Sequence, residues 1–97
     1  MFWATAEWRI KPGQEEAFEA AWVDLVISSK GTFPGRRAFL LRDRERPGVY
    51  VSMGAWPTAD MMGTWRDVPG LVQRFETLRG FAASYDLRSF DEVIDVS

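Results

Sequence analysis

The segment over residues 48–66, GVYVSMGAWPTADMMGTWR, constrains the fold more than any other stretch of the chain. Its first half alternates with the two-residue period of a β-strand. Val49, Val51, Met53 and Ala55 share one side, and Tyr50, Ser52, Gly54 and Trp56 share the other. Neither set suits solvent, so this strand is expected to be covered on both faces. Pro57 marks a turn, and Thr58 is a good N-cap for a helix over residues 58–66. That helix brings Met61, Met62 and Trp65 to the strand's end, where an aromatic and thioether wall is either plain core or the lining of an apolar pocket.

The rest of the chain falls into order around this corner. Residues 2–10 (FWATAEWRI) alternate, with Phe2, Ala4, Ala6, Trp8 and Ile10 on one face, and Lys11-Pro12-Gly13 stops the strand. Residues 14–29 predict a helix, because Phe18, Ala21, Trp22, Leu25 and Val26 recur at helical spacing. Glu15, Glu16 and Glu19 suit the positive end of its dipole, and Gly31 reads as a left-handed cap. Residues 36–43 predict a second strand, joined to the third by the polar loop 44–48 and therefore antiparallel to it. After a break at 67–69, a helix over 71–82 presents Leu71, Phe75, Leu78 and Ala82, and a last strand runs over 85–96. The expectation is one α+β domain over residues 1–97, with the ferredoxin-like order β-α-β-β-α-β, an antiparallel sheet and helices on one face. The other sheet face is apolar too, and a second copy of the sheet is the simplest cover, which predicts a homodimer with facing sheets.

Composition narrows the chemistry by exclusion. The chain has no cysteine, so disulfides, thiolate catalysis and Cys-based zinc sites are out, and no histidine, the commonest metal ligand and usual neutral-pH base. Metal ligation is not expected: Asp91, Glu92 and Asp95 form an acidic tail without a ligand-loop pattern. A net charge of −2 with no basic stripe leaves no footprint for nucleic acid. The longest apolar run, near residues 20–27, is broken by Asp24, and the first ten residues lack signal-peptide features, so a cytoplasmic protein with no membrane partner is expected. Five Trp, seven Phe and two Tyr are more aromatic surface than 97 residues easily hide, which suggests a pocket, a partner surface or both.

Several segments in this order carry a resemblance. Residues 8–18 (WRIKPGQEEAF), Leu41-Arg42-Asp43, Pro47-Gly48, Trp56 and residues 65–69 together resemble the antibiotic biosynthesis monooxygenase family over nearly the whole chain. The resemblance implies a dimeric α+β barrel with a ligand cavity between sheet and helices in each subunit. It further implies oxidation of small aromatic, polyketide-type phenols by O2 with no cofactor; a related branch degrades haem, and other members only bind metabolites. Quinone-forming members place an Asn where this chain has Ser52, a Trp at Trp56 and a Tyr where it has Met62. The haem branch places an Asn at Ala6, and its iron-binding His has no counterpart; many members carry a His where this chain has Gly70.

Candidate site residues follow from both lines. Trp56, Ser52 and Arg66 are the candidates for catalysis: an indole N–H, a hydroxyl donor and a clamp for a carboxylate or phenolate. Each also has a plainer reading, as a corner ring, a small packed residue and an exposed helix-end cation. Trp22, Tyr50, Met62, Trp65, Phe75 and Tyr85 are the candidates for substrate contact. A base at Glu7 or Asp86 requires one of them to be half-buried in neighbouring strands. The readings of function are a cofactor-independent monooxygenase, a non-catalytic dimeric binding protein for an apolar metabolite, and a structural or regulatory dimer with a filled cavity.

Overall fold

A computed structural model describes residues 1–33 and 37–96. Its elements are β1 (Phe2–Ile10), α1 (Glu15–Lys30), β2 (Ala38–Arg42), β3 (Val49–Trp56), α2 (Ala59–Thr64), a 3-10 turn (Trp65–Asp67), α3 (Leu71–Gly80) and β4 (Ala82–Asp91). The strands form an antiparallel sheet in the order β2-β3-β1-β4, and the helices cover one face, which is the α+β ferredoxin-like fold expected.

Three local devices set the elements. Thr58 caps α2, its hydroxyl oxygen accepting from the Met61 N–H at 3.2 Å. The β2–β3 loop is wound around the Asp43 carboxylate, which accepts from the Glu45 and Arg46 N–H groups at 2.8 and 3.1 Å. These two contacts and the Arg46 guanidinium hold the Asp43 carboxyl below its usual range, the Glu45 N–H most of all. Gly48 closes the same loop at φ +77°, a left-handed conformation from which its carbonyl accepts from the Ile10 N–H at 2.8 Å.

Some boundaries differ from the expectation, each for a visible reason. Gly31 is right-handed (φ −64°), because the last turn of α1 is continued by the Thr32 and Phe33 N–H groups donating to the Ser29 carbonyl. α3 ends at Gly80 rather than 82, and β4 starts at Ala82 rather than 85, because Ala82 is already paired with Ile10. β4 ends at Asp91, which faces Phe2, the first residue of β1; the Glu92 N–H still donates to the Met1 carbonyl at 2.9 Å, and among the described residues no strand lies alongside the segment that follows. The second strand starts at Ala38, and Arg36 lies outside the described residues.

Register fixes which residues face the helices. Phe2↔Trp56, Ala4↔Gly54, Ala6↔Ser52 and Trp8↔Tyr50 pair across β1 and β3 and point to the helix side. The core there splits into two clusters. One gathers Trp8, Ile10, Phe18, Tyr50 and Leu78 at one end of the sheet. The other gathers Phe33, Trp56 and Leu71 at the opposite end, with Phe2, Met61, Met62 and Trp65 packed against it. On the outer face lie Trp3, Val51, Met53, Phe39, Leu41 and Phe90, of which Phe39, Leu41 and Phe90 are 40, 51 and 50% exposed.

Candidate active site

The helix-facing surface of the sheet is large at both ends and small in the middle. Trp8 and Tyr50 stand at one end, Phe2 and Trp56 at the other, and the intervening positions are Ala6, Ser52, Ala4 and Gly54, with Ala38 beside Gly54 on β2. Helices resting on the tall end residues cannot descend onto these short ones. A cavity of about 430 Å³ remains between sheet and helices. That size holds a ligand of a few fused rings.

The ends are rigid. Trp8 is 2% exposed and clamped by three rings: Tyr85 stacked at 5.4 Å, Phe18 at 5.4 Å and Phe75 edge-on at 6.0 Å. Trp56, equally buried, meets Phe33 edge-on at 4.8 Å. The roof is Trp22, Leu25 and Val26 from α1 and Val72, Phe75 and Leu78 from α3. Met62 and Trp65 close the corner after β3, and Trp65 packs perpendicular to Phe75 at 5.6 Å.

Polar groups in this lining are few. The Trp8 indole N–H donates to the Ser52 hydroxyl oxygen at 2.9 Å. Among the described residues that line the cavity, the titratable groups are Arg66 and Glu76, both on exposed residues at its rim. Glu76 accepts from Arg79 at 3.0 Å, and no described carboxylate pairs with Arg66. Arg66 therefore offers an open guanidinium to an anionic group entering the mouth.

The structure brings seven of the nine sequence candidates to one cavity: Trp56, Ser52, Arg66, Trp22, Met62, Trp65 and Phe75 all line it. Tyr50 and Tyr85 do not. Tyr50 is 2% exposed beneath α1, where its hydroxyl donates to Glu19 Oε2 at 2.5 Å, and Arg42 donates to the same oxygen at 2.9 Å. The Tyr50 hydroxyl bond above all, then Arg42, lowers the Glu19 pKa. Burial and the adjacent carboxylate raise that of Tyr50. Tyr85 is part of the ring stack behind Trp8. Glu7 and Asp86 do face each other across β1 and β4, but on the outer side of the sheet, paired with Arg46 and Arg88. Neither reaches the cavity.

Sequence reasoning missed Glu76 as a rim carboxylate, Trp8 as the partner of Ser52 and the small residues of the floor. The floor did leave a signal: Ala4 and Ala6 alternate on the same face as Ser52 and Gly54, but their alignment needed the β1–β3 register.

Comparison with known proteins places this geometry in a family. The model of the family "antibiotic biosynthesis monooxygenase" matches residues 1–78. Among solved structures, one assigned to antibiotic biosynthesis monooxygenases from Caulobacter crescentus superimposes with a TM-score of 0.85 at 19% identity, covering 96% of this chain and 90% of its own. A variant of SnoaB, a cofactor-independent oxygenase from Streptomyces nogalater, gives 0.84 at 20% identity, covering 98% and 95%. A Nitrosomonas europaea protein of the same assignment gives 0.83 at 18%, covering 97% and 100%. No curated protein matches the chain. At these identities the structural likeness establishes the fold, and the sequence match establishes the family.

Proposed function

Because the chain belongs to the antibiotic biosynthesis monooxygenase family, we propose that it oxidises a small aromatic, polyketide-type phenol with O2 and without a cofactor. The observation that carries this reading is the ring-walled cavity of about 430 Å³ with the Ser52 hydroxyl inside it and an open guanidinium at its mouth. Such a reaction asks little of a protein. The phenol loses its proton and becomes an electron-rich anion that itself reduces O2. For an anthrone, one oxygen atom becomes the new carbonyl, and the other leaves as water with the two hydrogens of the oxidised carbon. The protein contributes a dry cavity, donors for the anion and a proton acceptor.

The roles divide by position. Trp22, Met62, Trp65 and Phe75 hold the ring system, and Trp56 closes the end beside it. Ser52 donates to the phenolate oxygen, Arg66 pairs with an acidic substituent at the mouth, and Glu76 is the rim group able to take the phenolic proton. The working unit is a homodimer formed through the outer sheet face. Its exposed Phe39, Leu41 and Phe90 support this, as do Val93, Ile94 and Val96 of the segment after β4, which are 89, 76 and 89% exposed.

The test is oxygen uptake with an anthrone, read together with quinone absorbance. Equimolar consumption and product are expected, with Ser52→Ala lowering kcat by about 10²-fold, the scale for one donor to a developing anion. A second reading, a non-catalytic binding protein for an apolar metabolite, is favoured by one fact: neither titratable lining group is buried. Quenching of tryptophan fluorescence by the anthrone without oxygen uptake supports that reading and overturns the first.

A further inference from the structure

The geometry points to Trp8 as a positioning residue for Ser52: it fixes the hydroxyl as a donor into the cavity, so that the ligand atom seated there is an acceptor, a phenolate or carbonyl oxygen. The inference rests on the cavity being the ligand site.

Indole is a donor only, so in the 2.9 Å contact the Ser52 oxygen must accept from Trp8 Nε1. That uses one of the hydroxyl's two lone pairs and leaves its proton. No described residue accepts that proton, and Ser52 lines the cavity. A ligand donor at this place could take the second lone pair but would leave the O–H unmet among apolar walls. A ligand acceptor satisfies it, and unmet buried donors are the expensive case. Donation from Trp8 also polarises the Ser52 O–H, which strengthens it as a donor in a low-dielectric site.

Trp8 is suited to this because it cannot turn. It is 2% exposed, and Phe18, Phe75 and Tyr85 press on the ring from three directions. It reaches Ser52 diagonally, since the direct cross-strand partner of Ser52 is Ala6 and that of Trp8 is Tyr50. Diagonal neighbours on one sheet face lie within reach of a long aromatic side chain. The small Ala6 leaves the path between them clear. The core ring stack is thereby coupled to the Ser52 hydroxyl in the cavity floor.

The experiment titrates para-nitrophenol bound to the dimer or monomer as purified, reading the phenolate by absorbance in the wild type, Ser52→Ala, Trp8→Phe and the double variant. Ser52→Ala is expected to weaken ionisation of the bound phenol about tenfold, the scale of one hydrogen bond to a charged oxygen. Trp8→Phe is expected to weaken it about threefold, because the freed hydroxyl can then rotate and no longer donates in a fixed direction. The double variant is expected to match Ser52→Ala alone, since Trp8 acts through Ser52. A merely structural Trp8 would lower stability or affinity and leave the ionisation of the bound phenol unchanged. That result, or full additivity in the double variant, overturns the inference while leaving the site reading intact. Failure of the wild type to bind the phenol at all overturns the site reading and the inference with it. If Trp8→Phe does not fold, the benzothienyl analogue of tryptophan at position 8 removes the same N–H and keeps the ring shape.

Discussion

Replacing Tyr50 by Phe removes one oxygen and nothing else, and the structure says what that oxygen holds. The ring stays, packed on Phe18 at 5.1 Å. What goes is the hydroxyl donation to Glu19 Oε2 at 2.5 Å. A hydrogen bond to an ionised group contributes about 1.5–3 kcal/mol net. The Glu19 side chain is 37% exposed and keeps Arg42, so water replaces part of the lost donor. The expected loss is therefore discounted to about 1 kcal/mol. Its pH dependence is the sharper test. The Glu19 pKa is lowered in the folded protein, first by Tyr50 and then by Arg42. A lowered carboxylate pKa gives stability that is present above the unfolded value of about 4.5 and is lost as pH falls through the lower folded value. Urea unfolding at fixed protein concentration should show the Tyr50→Phe deficit in full at neutral pH and shrinking below about pH 4.5. At the alkaline end the sign reverses. The Tyr50 pKa is raised, mainly by burial, so the wild type loses this contribution as pH rises above 10.0 and the variant does not. An equal deficit in acid and at neutrality would refute the assignment of the bond to a charged Glu19.

Other expectations are simpler to state. Phe18 is fully buried between Trp8 and Tyr50, so Phe18→Ala should cost about 3–5 kcal/mol by urea unfolding, the range for deleting a core ring. Gly70 has φ +88°, and a Cβ there would sit 2.7 Å from Arg74 Nη1, so Gly70→Ala should lose about 1–2 kcal/mol and lower the melting temperature. Leu41 lies on the outer sheet face, half-exposed, and Leu41→Glu should convert a sedimenting dimer to monomer with an unchanged far-UV spectrum. A dimer that survives this change does not use that face.

Strand parity was the legible part of this chain. The alternation of residues 2–10 assigns that strand to the residue, since a slip by one would exchange Trp8 for Glu7 in the core, whereas residues 49–56 are apolar on both sides and their helix-facing set is decided by the pairing with β1. Helix ends were less legible. Residues 81 and 82 suit either a helix or a strand, and only pairing of Ala82 with Ile10 decides between them. The cavity was partly legible: Trp56, Met62 and Trp65 announce an apolar corner because they fall within ten residues of one strand–turn–helix segment. Tyr50 was misjudged as a cavity residue because its face was right and its depth was not. It shares a face with Ser52, but α1 lies over it and supplies Glu19 to its hydroxyl. Nothing in the local sequence of β3 says which helix residue arrives above it.

The aromatic excess and the empty space have one cause. Rings concentrated at both ends of the sheet hold the helices at a fixed height, and the alanines and glycine between them leave that height unfilled. A void of this kind would ordinarily cost stability in proportion to its volume. It is tolerated here because its walls are themselves packed from behind: Trp8 by Phe18 and Tyr85, Trp56 by Phe33, Trp65 by Phe75. Collapse would require breaking one of these ring contacts, not merely turning a loose side chain. The same rigidity holds the indole N–H of Trp8 on Ser52, so the packing that keeps the cavity open also sets the direction of its hydroxyl.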